Sequence, residues 1–241
     1  MYSKINKLYY RILSAYWMLL LLDMDRGRSM AKISFAQNGE DLIIWQALSA
    51  CQIKEPFYLD IGAHHPRKLS NTMLFYLFGF RGMNIEPDPD LFAEFPKSRP
   101  EDLNLNVGVG EKETIARFYR MRDPLLNTFN AEEAQRLAQE ENMELKSTLD
   151  IPVKTINQIF EQAPQKIDVL SLDTEGNDLT ILKSLNFSLF RPTVICVETL
   201  TFSTRHQGTK LSEFDTLLET HNYQKYADTH INSIYVDTLS Q

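Results

Sequence analysis

Cysteine is nearly absent. The 241-residue chain holds only Cys51 and Cys196, too few for a disulfide framework, so the fold must stand on its core. Nine glycines and ten prolines exclude collagenous and low-complexity classes. Positive charge is in deficit: the formal net charge of −7 argues against a general nucleic-acid binder, which needs a basic face. The N-terminal apolar run, Ile12 to Leu22, reaches about 16 Å as a helix, roughly half a bilayer core, so no transmembrane span is expected. Two phosphate-binding signatures are also missing. The turn Asp60-Ile61-Gly62-Ala63-His64-His65-Pro66 lacks G-x-G-x-x-G, and there is no Walker lysine, so readings based on NAD or ATP lose their main support.

What is present is globular. Hydrophobic residues make up 43% of the chain, charged residues 24% and aromatics 11%, enough apolar material for one large α/β domain with a short appendage. That appendage is residues 1–33. Lys4, Lys7 and Arg11 precede the apolar run, and Asp23, Asp25, Arg26 and Arg28 stop it, with no small-x-small cleavage signal between. The segment is expected as a helix with one of two roles. It lies in a membrane interface with Tyr16 and Trp17 at headgroup depth, or it packs on a second copy as a homo-oligomer contact. The expected location is cytoplasmic, with peripheral contact at the inner membrane surface under the first reading.

From Ser34 onward strands and helices alternate. Phe57 to Gly62, Met83 to Glu86, Leu103 to Val109, Val169 to Asp173 and Thr193 to Glu198 read as five buried strands. Helices are expected at Ser70 to Phe78, with Ser70 as cap, at Asp178 to Leu185 and at Leu211 to His221. Two terminal strands, Tyr223 to Ala227 and Ser233 to Val236, close the chain. Apolar strands alternating with helices imply a mostly parallel sheet covered on both faces. A polar insertion at about 120–150, with a helix from Ala131 to Leu145, interrupts the rhythm. It reads as a solvated surface helix, or as a lid over the carboxyl ends of the strands.

Those carboxyl ends are where chemistry is expected in such a sheet. Asp60, His64 and His65 follow the first strand, and Glu86 ends the second. Asn106 lies in the third, Asp173 and Glu175 follow the fourth, and Glu198 ends the fifth. Carboxylates at four of five strand ends exceed the ordinary return of polarity. Glu86 suits a carboxylate accepting from both ribose hydroxyls. A ligand with a ribose, no pyrophosphate and a cationic remainder fits these residues, and S-adenosylmethionine is such a ligand. The His64-His65 pair is poor evidence for zinc, because adjacent positions rarely point at one metal. As a base His206 is a weaker candidate than His65, His221 and His230 read as surface residues, and Cys196 reads as buried filler.

Four stretches resemble the FkbM-type methyltransferases: Ser34 to Asp41 (SFAQNGED), Tyr58 to His65 (YLDIGAHH), Asn84 to Asp88 (NIEPD) and Asp168 to Gly176 (DVLSLDTEG). The resemblance runs in order over roughly residues 34 to 237. The commoner family turn has asparagine where this chain has His64. The resemblance implies a class I, Rossmann-like seven-stranded sheet and methyl transfer from S-adenosylmethionine, usually to a hydroxyl of a sugar or polyketide. By the same resemblance, Asp60, Gly62, Ala63 and His64 line the methionine part, and Gln37, Glu40, Ser70 and Asn71 close over it. Glu86 and Pro87 hold the ribose side, and Asn106 and Val107 pass beside the adenine. Asp173 faces the transferring methyl. The acceptor hydroxyl needs a base, for which Asp173 and His65 are the candidates. It could instead need magnesium, held by Asp173 and Glu198 as in metal-dependent O-methyltransferases; here Thr199 stands where those have a further ligand. The expected function is O-methylation of a sugar, glycan or related small molecule. N- or C-methylation, or a non-catalytic binder of the same fold, are the alternatives.

Overall fold

The computed structural model describes residues 32–140, 143–200 and 208–240. The chain divides into two units, Met1–Ser34 and Phe35–Gln241. The expected N-terminal helix, with its membrane or oligomer contact, and His206 lie outside the described residues. No described helix is long and apolar enough to cross a membrane.

Phe35–Gln241 is built on a seven-stranded sheet in the order β3-β2-β1-β7-β8-β10-β9. Its strands are β1 (Tyr58–Ile61), β2 (Gly82–Ile85), β3 (Leu103–Leu105), β7 (Val169–Leu172), β8 (Val194–Glu198), β9 (Tyr223–Asp228) and β10 (Asn232–Asp237). The first five run parallel, and β10 is antiparallel to both β8 and β9. This is the expected class I arrangement. Side chains alternate between two buried clusters, as the period of a strand requires. Leu59, Ile61, Leu170, Leu172, Ile195 and Val197 point to one face, and Tyr58, Val169, Val194 and Cys196 to the other.

Helix α1 (Glu40–Ala50) covers the second face with Ile44, Ala47 and Leu48. The helix after β1, α2, spans only Met73–Leu77, because Ser70 and the residues around it form a loop. Two four-residue helices, α3 (Pro89–Phe92) and α4 (Phe95–Ser98), join β2 to β3. Later in the chain, α6 (Ile156–Glu161), α7 (Asp178–Ser184) and α8 (Glu213–Thr220) follow. Ile156, Ile159, Ile181, Leu182, Phe214 and Leu218 of these three helices pack into the first cluster.

Two sequence expectations are corrected. Leu103 to Val109 is not one strand: β3 stops at Leu105, and Gly108–Gly110 forms β4 of a second sheet, β4-β6-β5. The helix expected from Ala131 to Leu145 ends at Glu140 as α5, and Leu145–Thr155 is the long strand β6, antiparallel to β5 (Thr114–Met121). The polar alternation of β6 hid a strand exposed along most of one face. Helix α5 is amphipathic rather than fully solvated, with Ala134 and Leu137 buried against Met121 and Leu126.

Candidate active site

Strand register assembles the site. Ile61 pairs with Ile85 on one side and with Leu172 on the other, and Leu172 pairs with Val197. The residues that follow, Gly62, Glu86, Asp173 and Glu198, therefore leave four neighbouring strands at one level. Backbone bonds fix that level: Gly62 and Ala63 donate to the Ile85 carbonyl, and Asp173 donates to that of Ile61. All four line a cavity of about 380 Å³, within the range of small-molecule sites.

On one side of the cavity, Glu86 is buried and both its oxygens accept backbone bonds, from His64 N at 2.8 Å and Asp88 N at 2.7 Å. Burial pushes its carboxyl up to about 8, against those two bonds. Asn106 sits where the chain passes from one sheet to the other, and its amide donates to the Glu86 and Pro87 carbonyls. Pro87 and Val107 line the cavity beside it.

The opposite side is acidic. Oxygen atoms of Asp173, Glu175 and Glu198 all lie within 4.8 Å of one another. Burial, and after it the nearby carboxylates, push Asp173 up to about 7 (through Asp178 and Asp60) and Glu198 up to about 9 (through Asp173 and Asp178), and raise Glu175 as well. Glu175 takes a left-handed φ of 54°, and Thr128 Oγ1 donates to its carbonyl at 3.2 Å. Asp173 Oδ1 and both ring nitrogens of His64 are buried without a hydrogen-bond partner among the described residues. Such groups fit a ligand that brings its own polar atoms. Gly62, at φ 76°, lies so close beneath the Asp173 carbonyl that no side chain fits there.

Other expected residues lie elsewhere. His65 does not line the cavity; its Nδ1 accepts from the backbone N–H groups of Arg67 and Lys68, as a turn residue. Glu40 is buried against Thr229 and Asn232. Asp60 accepts from Thr72 Oγ1 at 2.7 Å, Ala63 is packed in the core, and Asn71 donates to Ser171. Ser70 accepts from the Thr72 and Met73 backbones behind the cavity wall. Gln37 and His64 do line the cavity. So do residues not singled out one by one in the sequence reading, above all Asp123 to Asn127 of the insertion that it read as a solvated helix or a lid. The apolar pair Leu125-Leu126 was the available signal there, but it falls in no periodic element.

The methyltransferase FkbM domain matches residues 60–225 of the chain. None of the curated proteins matches it in sequence. Among solved structures, a TehB-like SAM-dependent methyltransferase from Corynebacterium glutamicum aligns with 96% of this chain and 100% of its own, at 12% identity and TM-score 0.40. The 1,6-didemethyltoxoflavin-N1-methyltransferase of Burkholderia thailandensis, with bound 1,6-didemethyltoxoflavin and S-adenosylhomocysteine, aligns over 98% and 88%, at 11% and 0.39. A precorrin-6y C5,15-methyltransferase from Geobacter metallireducens aligns over 88% and 94%, at 13% and 0.41.

Proposed function

The chain belongs to the FkbM methyltransferase family, and from that membership we propose that it transfers a methyl group from S-adenosylmethionine to a hydroxyl of a sugar, glycan or related small molecule. The observation that carries this reading is one cavity with Glu86 on one side and Asp173, Glu175 and Glu198 on the other. Bound S-adenosylmethionine supplies a methyl group on a positively charged sulfur. Glu86 accepts from the ribose hydroxyls, held in place by the His64 and Asp88 amides. Gly62 lines the methionine side of the cavity, and its missing side chain lets the turn after β1 pass against the Asp173 backbone. The acidic side favours the positive charge until it is neutralised by transfer.

An alcohol is too weak an acid to be ionised beforehand, so its proton must leave as the new carbon–oxygen bond forms. Asp173 is the base: its Oδ1 has no other partner, and its affinity for a proton lies close to neutral pH. His65 is withdrawn from that role by its bonds within the turn. Leu125, Leu126 and Phe118 wall the cavity against water.

The three converging carboxylates also favour a second reading, in which a magnesium ion assists. Asp173, Glu175 and Glu198 would hold it, and its chemistry there would be to acidify a coordinated hydroxyl. Release of S-adenosylhomocysteine is measured with a panel of sugars and of amines, with and without excess chelator. Turnover restricted to amines would sink the hydroxyl assignment. Full turnover in chelator removes the ion and leaves Asp173 as the base, whose Asp173→Asn variant should then lose turnover while keeping affinity for S-adenosylhomocysteine, whose sulfur carries no charge.

A further inference from the structure

Arg99 is fully buried, at 0% exposure. Its Nε donates to the Pro66 carbonyl at 2.9 Å, and Nη2 to Ser70 Oγ at 2.8 Å. Nη1 donates to Thr72 Oγ1 at 2.7 Å and to Asn84 Oδ1 at 2.9 Å, and Asp102 Oδ2 lies 3.9 Å from it. A cation so deep in the protein is costly unless its donors all find partners, and a planar fork can serve several at once where an ammonium cannot. Three of these four bonds fall on one stretch of chain, the loop between β1 and α2.

That loop lacks the usual supports. Counted from Gly62, G-x-G-x-x-G would place glycines at positions 64 and 67, where this chain has His64 and Arg67, and α2 begins only at Met73, well past Gly62. Yet Gly62, His64 and Leu69 of this loop line the cavity, and His64 holds a left-handed φ of 49°. Thr72 passes the contact on, donating its own hydroxyl proton to Asp60 Oδ2 at 2.7 Å while accepting from Arg99.

We propose that Arg99 is the positioning residue of the cofactor loop, replacing the glycine-rich turn by clamping Pro66, Ser70 and Thr72 to Asn84. It touches neither the cavity nor its occupant, and acts through the loop it holds. The inference rests on the reading of the cavity as a site for S-adenosylmethionine, with the methionine portion on this loop and the ribose on Glu86. Loss of the clamp then falls mainly on the methionine end, because Glu86 loses at most the bond from His64 and keeps the one from Asp88, which lies outside the loop.

Calorimetry on the full chain tests this with two probes. S-adenosylhomocysteine carries the amino-acid end, and 5′-methylthioadenosine has the same nucleoside without it. Arg99→Met should weaken the first by about tenfold or more and the second by less than about threefold, with Arg99→Lys between wild type and Arg99→Met. Thr72→Val, which removes one hydroxyl, should show the same selectivity more mildly. Equal losses for both probes, or no loss in a variant with wild-type near-ultraviolet dichroism, overturn the proposal. If Arg99→Met fails to fold, Thr72→Val decides by the same criterion. A wild-type chain that binds neither probe overturns the cofactor reading itself, and this one with it.

Discussion

Gly62 sits at φ 76°, and a Cβ there would fall 1.6 Å from the Asp173 carbonyl oxygen. Gly62→Ala must therefore push β1 and β7 apart at the mouth of the cavity. Left-handed backbone alone costs a substituted residue about 1–2 kcal/mol, or roughly 2–8 °C in midpoint for a chain of this size. We expect a lower melting temperature and no measurable binding of S-adenosylhomocysteine; undiminished affinity would show that the cofactor does not approach this turn. Glu86→Ala removes a different support. Its bonds to the two ribose hydroxyls are worth about 0.5–1.5 kcal/mol each, so affinity should fall by roughly fivefold to a hundredfold, read by calorimetry. His64 holds a left-handed φ of 49°, a conformation that asparagine tolerates well. His64→Asn should therefore leave the melting temperature unchanged.

The insertion works as a roof pinned at two ends. Arg120 of β5 donates through Nε to Asp88 at 2.8 Å and also pairs with Asp90, and Asn127 donates to Asp88 at 3.0 Å. At the far end Thr128 reaches the Glu175 carbonyl. Asp88 follows the strand that carries Glu86, so the roof is anchored to both sides of the cavity. Arg120→Met should loosen the first anchor. Dissociation of S-adenosylhomocysteine, followed by stopped flow, is expected to speed up by about tenfold, with a smaller change in association. An unchanged dissociation rate would mean that ligand exit does not depend on this roof.

Across the whole molecule, raised carboxyls set the response to pH. Asp173, Glu86 and Glu198 hold protons up to about 7, 8 and 9, whereas the unfolded chain releases them near the ordinary values of 3.8 and 4.5. Above those ordinary values the unfolded state binds fewer protons, so stability falls as pH rises, until the folded groups ionise too. His64 is lowered by burial and acts oppositely near its ordinary value of 6.5, so the decline is cleanest from pH 7 to 9. Carboxyls lowered by ion pairs, such as Asp237 with Arg191, titrate below this window. The melting temperature of the ligand-free protein should drop across pH 7–9, and Glu198→Gln should flatten the slope. S-adenosylhomocysteine at a hundred times its dissociation constant should add about 2.7 kcal/mol, raising the midpoint by roughly 5–10 °C.

Local chemistry in the sequence was enough for the strands and for the carboxylates that end them. Runs such as Val194 to Val197 are apolar throughout because they are buried on both faces, and polarity returns where each strand leaves the sheet. The family motifs lie on those same ends. What sequence spacing cannot carry is register across strands far apart in the chain. Only the pairing of Ile61 with Ile85 and Leu172 sets Gly62, Glu86 and Asp173 side by side, while His65, four residues past Ile61, turns back onto its own loop. The break after Leu105 was illegible for a related reason: Leu103, Leu105, Val107 and Val109 keep an unbroken period of two, and a change of partner strand leaves no mark on that pattern. Arg99 stayed hidden because an arginine among Lys97, Pro100 and Glu101 reads as surface. Its burial follows from four acceptors that folding gathers from β2 and the β1–α2 loop, a coincidence in space that no local pattern encodes.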